Sequence, residues 1–418
     1  MRVVLNRRRT PCTMDETLPT LVGPEGEDWR VPVSELESRQ NELRKRLIDS
    51  GHEAALIQTP VDLYYYAGGR QNGTLFVPAE GQARFFVRRS IARARHESGG
   101  DDSPHTVESF PRMANFSEEI GCTPAMQFAE LPHSFANRFS SKIGATADCS
   151  SLVHNQREIK SEWELQMMAE GAEIQMAMFE AVENLGGEGV SEIELVAAAE
   201  AVSRAAGFAG NVQMRRYPMQ CDRGVIIAGR AGGIPSFFDS AVGGTGPHPM
   251  GSMGSGFSTI KQNEPVLVDL VHLHRGYVVD CTRMFVAGSL SSEWEERMED
   301  MVAVSETVVD VLDQGLDCSE AWRQGLALAV ELGHGDYLMG MKPDQSRFLG
   351  HSVGLQLDES PVVAEGFDRP LPVGGCMAIE PKVVHPEGSI GCEDTWVRDE
   401  EGMRPITAGG AIPWITEW

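Results

Sequence analysis

The spacing of apolar and polar residues predicts a small unit of alternating helices and strands in the first part of the chain. Residues 36–60 carry apolar side chains at helical spacing as far as Gly51, where a helix would end, and a short apolar strand follows. The segments DLYYYAG and GTLFVPAEGQARFFVRRS continue this alternation. We therefore predict an α/β domain over residues 31–156, preceded by a disordered tail over residues 1–30.

A second pattern follows, in which helices begin with a serine and a glutamate three residues later. This is the sequence form of a capping box, and it occurs at Ser161–Glu164, Ser191–Glu194 and Ser292–Glu295. A further helix is predicted to start at Ser319. Strand-like segments, among them NVQMRRYPM, GVIIAG and PVLVDLV, follow the first two helices, and GCMAIEPKVV and SIGCEDTWVR follow the last two. Because two helices and then several strands occur twice, we predict an α+β domain over residues 157–418 with two similar halves.

The segment PVLVDLVHLHRGYVVDCTRMF predicts a β-hairpin that places two carboxylates on one face. Its apolar residues alternate on either side of a turn at LHRG. If the turn centres on His274 and Arg275, Asp269 and Asp280 lie directly opposite each other, with Cβ atoms about 5 Å apart.

The segment CMAIEPKVVHPEGSIGCEDTW predicts a second hairpin of the same kind. Its turn HPEG has proline and glycine where a type I turn prefers them. A turn centred on Pro386 and Glu387 places Glu380 opposite Glu393. A β-bulge in either hairpin would shift its register by one residue.

Two pairs of opposed carboxylates point to a binding site for cations. Like charges that face each other destabilise a sheet, and burial would force one carboxyl group of each pair to hold a proton. Two divalent cations would balance four carboxylates in formal charge, and two-metal sites are common in hydrolases. Exposed acidic pairs on solvated hairpins are the alternative that these residues leave open.

The balance of charges excludes some classes of partner. Lys and Arg total 36, Asp and Glu total 61, and the net charge is −25, whereas nucleic acids and anionic membranes need a basic surface. The chain shows no apolar run near the ~18 residues that span a bilayer, and its cysteines lack C-x-x-C spacing. We expect a cytoplasmic protein that binds neither nucleic acid nor membrane. The first residues lack the apolar segment of a signal peptide, and we expect Met14 to be the natural start.

Several motifs resemble, in order, those of the pita-bread superfamily of methionine aminopeptidases, prolidases and creatinases. They are VDL, GYVVDCTR, GHSVGL, IEP and CEDT, and the similarity covers residues 157–400. YYYAGG and GTLFVPAEG resemble the creatinase-type N-terminal domain. The resemblance implies a C-terminal pita-bread fold with pseudo-twofold halves behind a smaller creatinase-like domain. The Xaa-Pro dipeptidase and aminopeptidase branch, within peptidase family M24, is the most similar.

Carried over to this chain, the resemblance implies a dinuclear metal site. Its ligands would be Asp269, Asp280, His351, Glu380 and Glu393. Asp280 and Glu393 would bridge both ions, Asp269 would bind one, and His351 with Glu380 the other. Carboxylates with one imidazole suit Mn²⁺, and Fe²⁺, Co²⁺ or Zn²⁺ are the other candidates. Creatinase has the same fold without metal and lacks this set, which argues against a metal-free amidinohydrolase.

The segment around His351 supports its role as a ligand. Alone, this histidine would more commonly be structural, but Gly350 and Gly354 flank it and allow the backbone to approach other strands closely.

Two further positions differ from the pattern of the peptidases that this chain resembles. Those enzymes carry a histidine in an H-E-x-P segment, where this chain has DESP and therefore Asp358. A second histidine lies upstream of the first aspartate, where this chain has Ser236, and His248 is a positional alternative. Ionised Asp358 accepts hydrogen bonds but cannot donate them to a developing oxyanion. It could act as a general base, hold a substrate cation or form a structural salt bridge.

Three functions are therefore compared. The first is an Xaa-Pro peptidase in which a hydroxide that bridges two metal ions attacks the amide carbonyl and Glu380 carries the proton, as the resemblance implies. The second is a metal-dependent hydrolase or lyase of a small non-peptide metabolite, with Asp358 as the base or cation anchor. The third is a non-catalytic binding module, against which the intact ligand set weighs. Catalytic roles are predicted for Glu380, Asp358 and His248.

The resemblance also implies a homodimer. Two-domain members of the superfamily use the N-terminal domain of one subunit to shape the pocket of the other, and LYYYAGGRQNG is the candidate segment. The end of a core strand is the alternative for this segment, and the more common one. We expect a small molecule or a short peptide as substrate.

Overall fold

The computed structural model describes residues 21–216 and 224–418 and divides into two compact units, Met1–Val153 and His154–Trp418. Most of the predicted tail, including Met14, lies outside the described residues. Within its described end, the Trp29 N–H donates to the Leu21 carbonyl at 2.8 Å and closes a short turn. In the described ranges every helix is too short or too polar to cross a membrane.

The first unit is a five-stranded sheet with helices around it, as the alternating pattern predicts. Its elements are α1 (Val33–Asp49), β1 (Ala54–Ile57), α2 (Pro60–Ala67), β2 (Gly73–Pro78), β3 (Ala83–Val87), α3 (Ile91–Glu97), β4 (His105–Ser109), α4 (Phe116–Ile120), β5 (Ala125–Met126), α5 (His133–Ile143) and α6 (Ser150–Arg157), which runs across the boundary of the two units. The strands lie in the order β4-β3-β2-β1-β5. The tyrosines of LYYYAGG lie in α2, where Tyr65 and Tyr66 are buried.

The second unit has the predicted order of two helices and then strands, twice over. The first half contains α7 (Glu162–Leu185), α8 (Glu192–Ala205), β6 (Gly224–Ala228), β7 (Val266–His274) and β8 (Tyr277–Val286). The second half contains α9 (Ser292–Asp313), α10 (Cys318–Glu331), β9 (Phe348–Ser352), β10 (Glu359–Ala364), β11 (Cys376–Ile379), β12 (Lys382–His385), β13 (Gly388–Gly391), β14 (Asp394–Arg398), β15 (Met403–Pro405) and β16 (Ile415–Glu417).

The strands of the second unit form two main sheets and a short hairpin. One sheet has the order β16-β8-β7-β6, the other β10-β9-β11-β14-β15, and β12 pairs with β13. A bridge between Thr282 of β8 and Glu393, next to β14, connects the sheets. Helices α7 and α8 cover the outer face of the first sheet, and all positions of β8 are buried. The inner face therefore turns its side chains towards the second half.

The helix starts confirm part of the capping prediction. Ser161 and Glu164 form the predicted box at the start of α7, and the Glu194 carboxylate accepts from the Ser191 N–H at 3.0 Å. The third predicted capping box, at Ser292–Glu295, is wrong, because Ser291 is the N-cap residue of α9 and Ser292 is already helical. Likewise α10 starts one residue before the predicted Ser319.

The predicted strand NVQMRRYPM is wrong over the part of the segment that the structure describes. Residues 211–216 are irregular, and the remainder of this segment lies outside the described residues.

Candidate metal centre

The first hairpin brings Asp269 and Asp280 to the same face of the sheet, although not directly opposite each other. Its turn consists of Arg275 and Gly276, both with positive φ (50° and 98°), one residue later than predicted. Asp269 therefore pairs with Thr282. The predicted direct opposition is wrong by two positions. Because side chains alternate with period two, both carboxylates still share a face, as diagonal neighbours.

The second hairpin has the predicted register. Ile379 pairs with Asp394, and Lys382 pairs with Gly391, so Glu380 and Glu393 lie between these pairs at matching positions. The turn at Pro386 and Glu387 is also as predicted, since the flanking residues pair across it.

Strand β9 delivers His351, and the neighbouring glycines allow it to lie close to β11. His351 pairs with Ala378. A Cβ atom at Gly350 would lie 2.5 Å from the Ala378 carbonyl oxygen, and a Cβ atom at Gly354 would lie 2.6 Å from the Glu359 carboxylate. Close packing thus requires both glycines, which confirms that they allow the backbone around His351 to approach its neighbours.

These elements bring the predicted ligands together at one point. Potential ligand atoms of Asp280, His351 and Glu393 all lie within 4.8 Å of one another. The His351 Nε2 atom lies 3.3 Å from Glu380 Oε1 and 4.0 Å from Asp280 Oδ2. Asp269, the fifth predicted ligand, lines the same cleft.

Unsatisfied polar atoms in this cluster fit a metal ion. Among the described residues, Asp280 Oδ1, Glu393 Oε1 and His351 Nδ1 are buried without a hydrogen-bond partner. Buried carboxylate oxygens are costly to leave unpaired, and the carboxylates with one imidazole form a donor set suited to a divalent cation. The residues present therefore fit a metal ion at Asp280, His351 and Glu393.

Lys382 is a further charged residue in the centre, in addition to the five predicted ligands. Its side chain is fully buried, and Nζ donates to Glu380 Oε2 and Glu393 Oε2, both at 2.7 Å. The same Nζ lies 3.8 Å from Asp269 Oδ2. Although burial lowers the pKa of an ammonium group, the carboxylates of Glu380 and Glu393 raise the pKa of Lys382 well above its usual value.

The pKa values of the carboxylates reflect the crowding of like charges. Burial, followed by the charge of Glu393, raises the pKa of Asp280 well above its usual range. Burial raises the pKa of Glu393 to about 7 against the opposing effect of Lys382. Burial raises the pKa of Glu380, but Lys382 and His351 together outweigh it and lower the pKa to about 2. Burial lowers the pKa of His351, but the hydrogen bond and charge of Glu380 raise it to about 9. The cluster thus has more negative charge than its own cations balance.

Neighbouring residues hold Glu393 in place. The Thr282 hydroxyl donates to Glu393 Oε2 at 2.8 Å. Arg283 donates to both carboxylate oxygens of Asp394 at 3.0 Å and to the Glu393 carbonyl at 2.9 Å. These bonds tie β8 of the first half to the strand of the second half that carries Glu393.

A cleft of about 830 Å³, counting space that is open to solvent, gives access to the centre. All five predicted ligands and Asp358 line it, together with apolar side chains that include Phe238, Val242 and Phe348. The cleft therefore combines a charged floor with apolar walls, as is common for small-molecule sites.

Asp358 lines the cleft and holds a neighbouring segment in place. Its two carboxylate oxygens accept hydrogen bonds from the backbone N–H groups of Arg215 (2.5 Å) and Arg216 (2.8 Å). The Leu357 N–H donates to the Gln213 carbonyl at 2.9 Å in the same region. Of the roles compared for Asp358, a structural one is favoured by these contacts, although its partners are backbone groups and not a salt bridge.

The other two candidate positions are not among the described residues that line the cleft. His248 is exposed, and its Nδ1 accepts from the Gly251 N–H at 3.2 Å within a tight turn. The Ser236 hydroxyl oxygen accepts from the Phe238 N–H at 3.1 Å. The structure therefore does not bring His248 or Ser236 to the ligand cluster, and the catalytic role of His248 stays a prediction.

Comparison with known sequences decides the family. Residues 166–400, more than half of the chain, match the model of metallopeptidase family M24. The chain belongs to this family. It is thus a hydrolase of the peptidase type, and membership implies binding of divalent metal. Residues 39–159 match the Creatinase/Prolidase N-terminal domain, so the predicted resemblance is confirmed for both parts.

Individual relatives agree with the M24 assignment over most of their length. An Xaa-Pro dipeptidase from Pyrococcus furiosus is 23% identical over 378 residues, which are 89% of this chain and 98% of the relative. The structure of an Xaa-Pro dipeptidase from Bacillus anthracis has a TM-score of 0.76 and 21% identity, covering 92% of this chain and 100% of that one.

Aminopeptidase P from E. coli, solved with the inhibitor Pro-Leu, has a TM-score of 0.70 and 17% identity, covering 91% of this chain and 95% of that one. At this identity the likeness concerns the fold, and it confirms the predicted creatinase-like domain followed by a pita-bread domain.

Proposed function

We propose that this M24 protein hydrolyses the amide bond of Xaa-Pro dipeptides or of short peptides with proline in second position. The observation that carries the proposal is the convergence of Asp280, His351, Glu380 and Glu393 at the floor of one cleft. All of them except Glu380 have a buried polar atom with no hydrogen-bond partner among the described residues. The Xaa-Pro dipeptidases among its relatives support this substrate class.

The residues around the centre have separate tasks in such a reaction. A divalent ion, with Mn²⁺ the first candidate, would supply a Lewis acid that polarises the carbonyl and lowers the pKa of water. His351, Glu393 and Asp280 would hold it. Glu380 would take a proton from the attacking water and pass it to the leaving amine. Lys382 keeps Glu380 ionised, as a proton acceptor must be, although the low pKa also makes Glu380 a weak base.

The walls of the cleft suit a short substrate. The apolar side chains of Phe238, Val242 and Phe348 can exclude water from a proline ring. Arg215 also lines the cleft and is half-buried, and a guanidinium group is the preferred partner of a carboxylate. We propose that Arg215 recognises the C-terminal carboxylate of a dipeptide, so that Arg215→Ala raises KM for dipeptides more than for tripeptides.

Hydrolysis of Ala-Pro by the Mn²⁺-loaded protein, compared with Ala-Ala, tests the proposal. We expect release of proline that stops with a chelator and returns with Mn²⁺. His351→Ala removes a ligand and should abolish the reaction, whereas His133→Ala, at an exposed position of α5, is the matched control. A fully metallated protein that cleaves no Xaa-Pro bond would contradict the proposal.

A small non-peptide metabolite is the second candidate, and Asp358 is the observation that favours it. The cleft carries a carboxylate where the peptidases that this chain resembles have a histidine, so a hydrogen-bond donor is missing there. Asp358→His separates the two candidates. A gain of Xaa-Pro cleavage in this variant would show that position 358 sets the reaction class. A variant that cleaves no Xaa-Pro bond would not support the peptidase proposal.

A cytoplasmic homodimer is proposed on the resemblance alone. Light scattering behind size-exclusion chromatography checks the oligomeric state, and a monomer at micromolar concentration would contradict it.

A further inference from the structure

Lys382 lies inside the cluster that would bind metal, and its position is built into the fold. The Met339 N–H donates to the Lys382 carbonyl at 2.8 Å, which fixes the strand on one side. On the other side Gly391 pairs with Lys382, and a Cβ atom there would lie 2.7 Å from Lys382 Cγ and 2.4 Å from the Pro381 carbonyl oxygen. Only a glycine at position 391 leaves room for this lysine.

The ammonium group contacts both glutamates of the cluster, and the histidine contacts Glu380. Glu380 directs Oε2 to Lys382 Nζ at 2.7 Å and Oε1 to His351 Nε2 at 3.3 Å. Glu393 directs Oε2 to the same Nζ at 2.7 Å, while its Oε1 is buried and has no partner in the described part of the chain. Glu380 thus has one oxygen on the lysine and one near His351, whereas Glu393 has one oxygen on the lysine and a second oxygen that is open to a metal ion.

Asp269 belongs to the lysine side. Its Oδ2 lies 3.8 Å from Lys382 Nζ, and it is absent from the three residues whose ligand atoms converge. In the dinuclear arrangement that the family resemblance implies, Asp269 binds the ion that lacks a histidine ligand. Lys382 Nζ therefore occupies the position between Asp269 and Glu393 where that ion would be expected.

Charge and space both argue against two ions beside this lysine. The ammonium group and one divalent ion offset three of the four negative charges of the carboxylates. Two divalent ions together with the ammonium group would carry more positive charge than the four carboxylates offset. A second ion would also need carboxylate oxygens at about 2.0–2.2 Å, and Lys382 already engages those of Glu380 and Glu393.

We propose that Lys382 takes the place of one of the two metal ions, so that each chain binds a single divalent ion at Asp280, His351 and Glu393. This inference rests on the proposed metal-dependent function and changes its stoichiometry. The ammonium group supplies a fixed positive charge and hydrogen-bond donors, but it cannot coordinate or activate a water molecule. Catalysis would then depend on one ion, and activity would saturate at one equivalent of metal.

Metal titration of the full-length chain tests this stoichiometry. The protein is stripped with a chelator and titrated with Mn²⁺ by calorimetry, and the bound metal is then measured by mass spectrometry after gel filtration. The expected result is one Mn²⁺ per chain for the unmodified protein. Two bound ions would overturn the inference while leaving the proposed function intact, and no bound ion would overturn both.

Substitution of the lysine gives a second, independent readout. Lys382→Ala removes the ammonium group and opens space, and we expect this variant to bind two Mn²⁺ ions and to gain more thermal stability from Mn²⁺ than the unmodified protein does. Lys160→Met is the matched control, because Lys160 is also a buried lysine but lies outside the cluster. Its Nζ atom pairs with the Glu359 carboxylate at 3.1 Å. It should still bind one ion.

The outcomes separate clearly. A Lys382→Ala protein that folds and still binds one ion would contradict the assignment of Lys382 as the replacement. If Lys382→Ala does not fold, Lys382→Met, which keeps the volume without the charge, is compared by the same titration. It should bind one ion and lose thermal stability in the metal-free state, and unchanged metal-free stability would contradict a charge-balancing role.

Discussion

The carboxylate of Asp358 accepts a hydrogen bond from the backbone N–H of Arg216 at 2.8 Å. Its other oxygen accepts from the N–H of Arg215, so one side chain holds the segment that carries an arginine into the cleft. A residue predicted to act on the substrate thus has a positioning role in this structure.

Asp358→Ala should lower kcat/KM for the best substrate about tenfold. Two backbone N–H groups lose their acceptor, and a loss of about 1–2 kcal/mol is typical for such groups. Hydrogen exchange at residues 213–216 should become faster in the variant. Asp358→Asn keeps one acceptor oxygen and should lose less activity. Equal losses in both variants, with a changed acid limb of the pH–rate profile, would indicate a general base instead.

Glu359→Gln should destabilise the fold by about 3 kcal/mol at neutral pH. The Glu359 carboxylate accepts from Arg157 at 2.5 Å and from Lys160 at 3.1 Å, and all three side chains are buried. Burial alone would raise its pKa, but the charge of Arg157, followed by that of Lys160, lowers it to about 2 from the usual 4.5. A shift of this size corresponds to about 3 kcal/mol.

The pH dependence of that difference follows from the sign of the shift. Because the pKa in the folded state is depressed, the stabilisation is present above pH 4.5 and is lost as the pH falls towards 2. Urea unfolding of both proteins from pH 7 to pH 2 should therefore show a difference that shrinks below about pH 4.5. Exposed Glu365→Gln is the control and should show no such trend.

Asp394→Asn should destabilise the second unit by about 3–5 kcal/mol and weaken metal binding. Arg283 and Asp394 are 0% and 2% exposed, and removing one partner of a buried pair leaves a charge uncompensated. Arg283 also bonds to the Glu393 carbonyl, so the ligand next to Asp394 would lose its alignment. Calorimetric Mn²⁺ titration and urea unfolding measure the two effects, with exposed Asp344→Asn as the control. Unchanged metal affinity would show that this pair serves stability alone.

Gly350→Ala should cost about 1–3 kcal/mol of stability, the usual range for overpacking, and should weaken metal binding as well. The new methyl group would lie 2.5 Å from the Ala378 carbonyl oxygen and push β9, with His351, away from β11. Gly251→Ala is the matched control, because its new methyl group would lie 3.6 Å from the nearest atoms. Similar Mn²⁺ affinities in the two variants would contradict the role of close strand contact in positioning His351.

Turn chemistry explains why one hairpin was predicted in the correct register and the other was not. Pro386 and Gly388 mark a type I turn with one centre. In LHRG the pair Arg275 and Gly276 forms the two-residue turn, with an arginine at positive φ that its residue type does not favour. The observed register consequently differs from the predicted one by two positions. The two aspartates still share a face of the sheet, because side chains alternate along a strand.

Lys382 was detectable from the sequence, whereas the contacts of Asp358 were not. Residues two apart on a strand share a face, so a lysine two positions after a predicted ligand in an apolar strand indicates a charge inside the site. Asp358 accepts hydrogen bonds from backbone groups of a segment 142 residues earlier in the chain. The residue types of that segment do not reveal these bonds, because nearly every residue has a backbone N–H group. Family motifs located the ligands but give no information on such long-range hydrogen bonds.

A crystal of the Mn²⁺-loaded protein, measured for anomalous scattering at the manganese edge, locates the bound metal. We expect a manganese peak among Asp280, His351 and Glu393, with ligand distances near 2 Å as for other divalent ions, and with Lys382 beside it against Glu380. An anomalous map with no peak at that cluster would overturn the assignment of these residues as a metal centre.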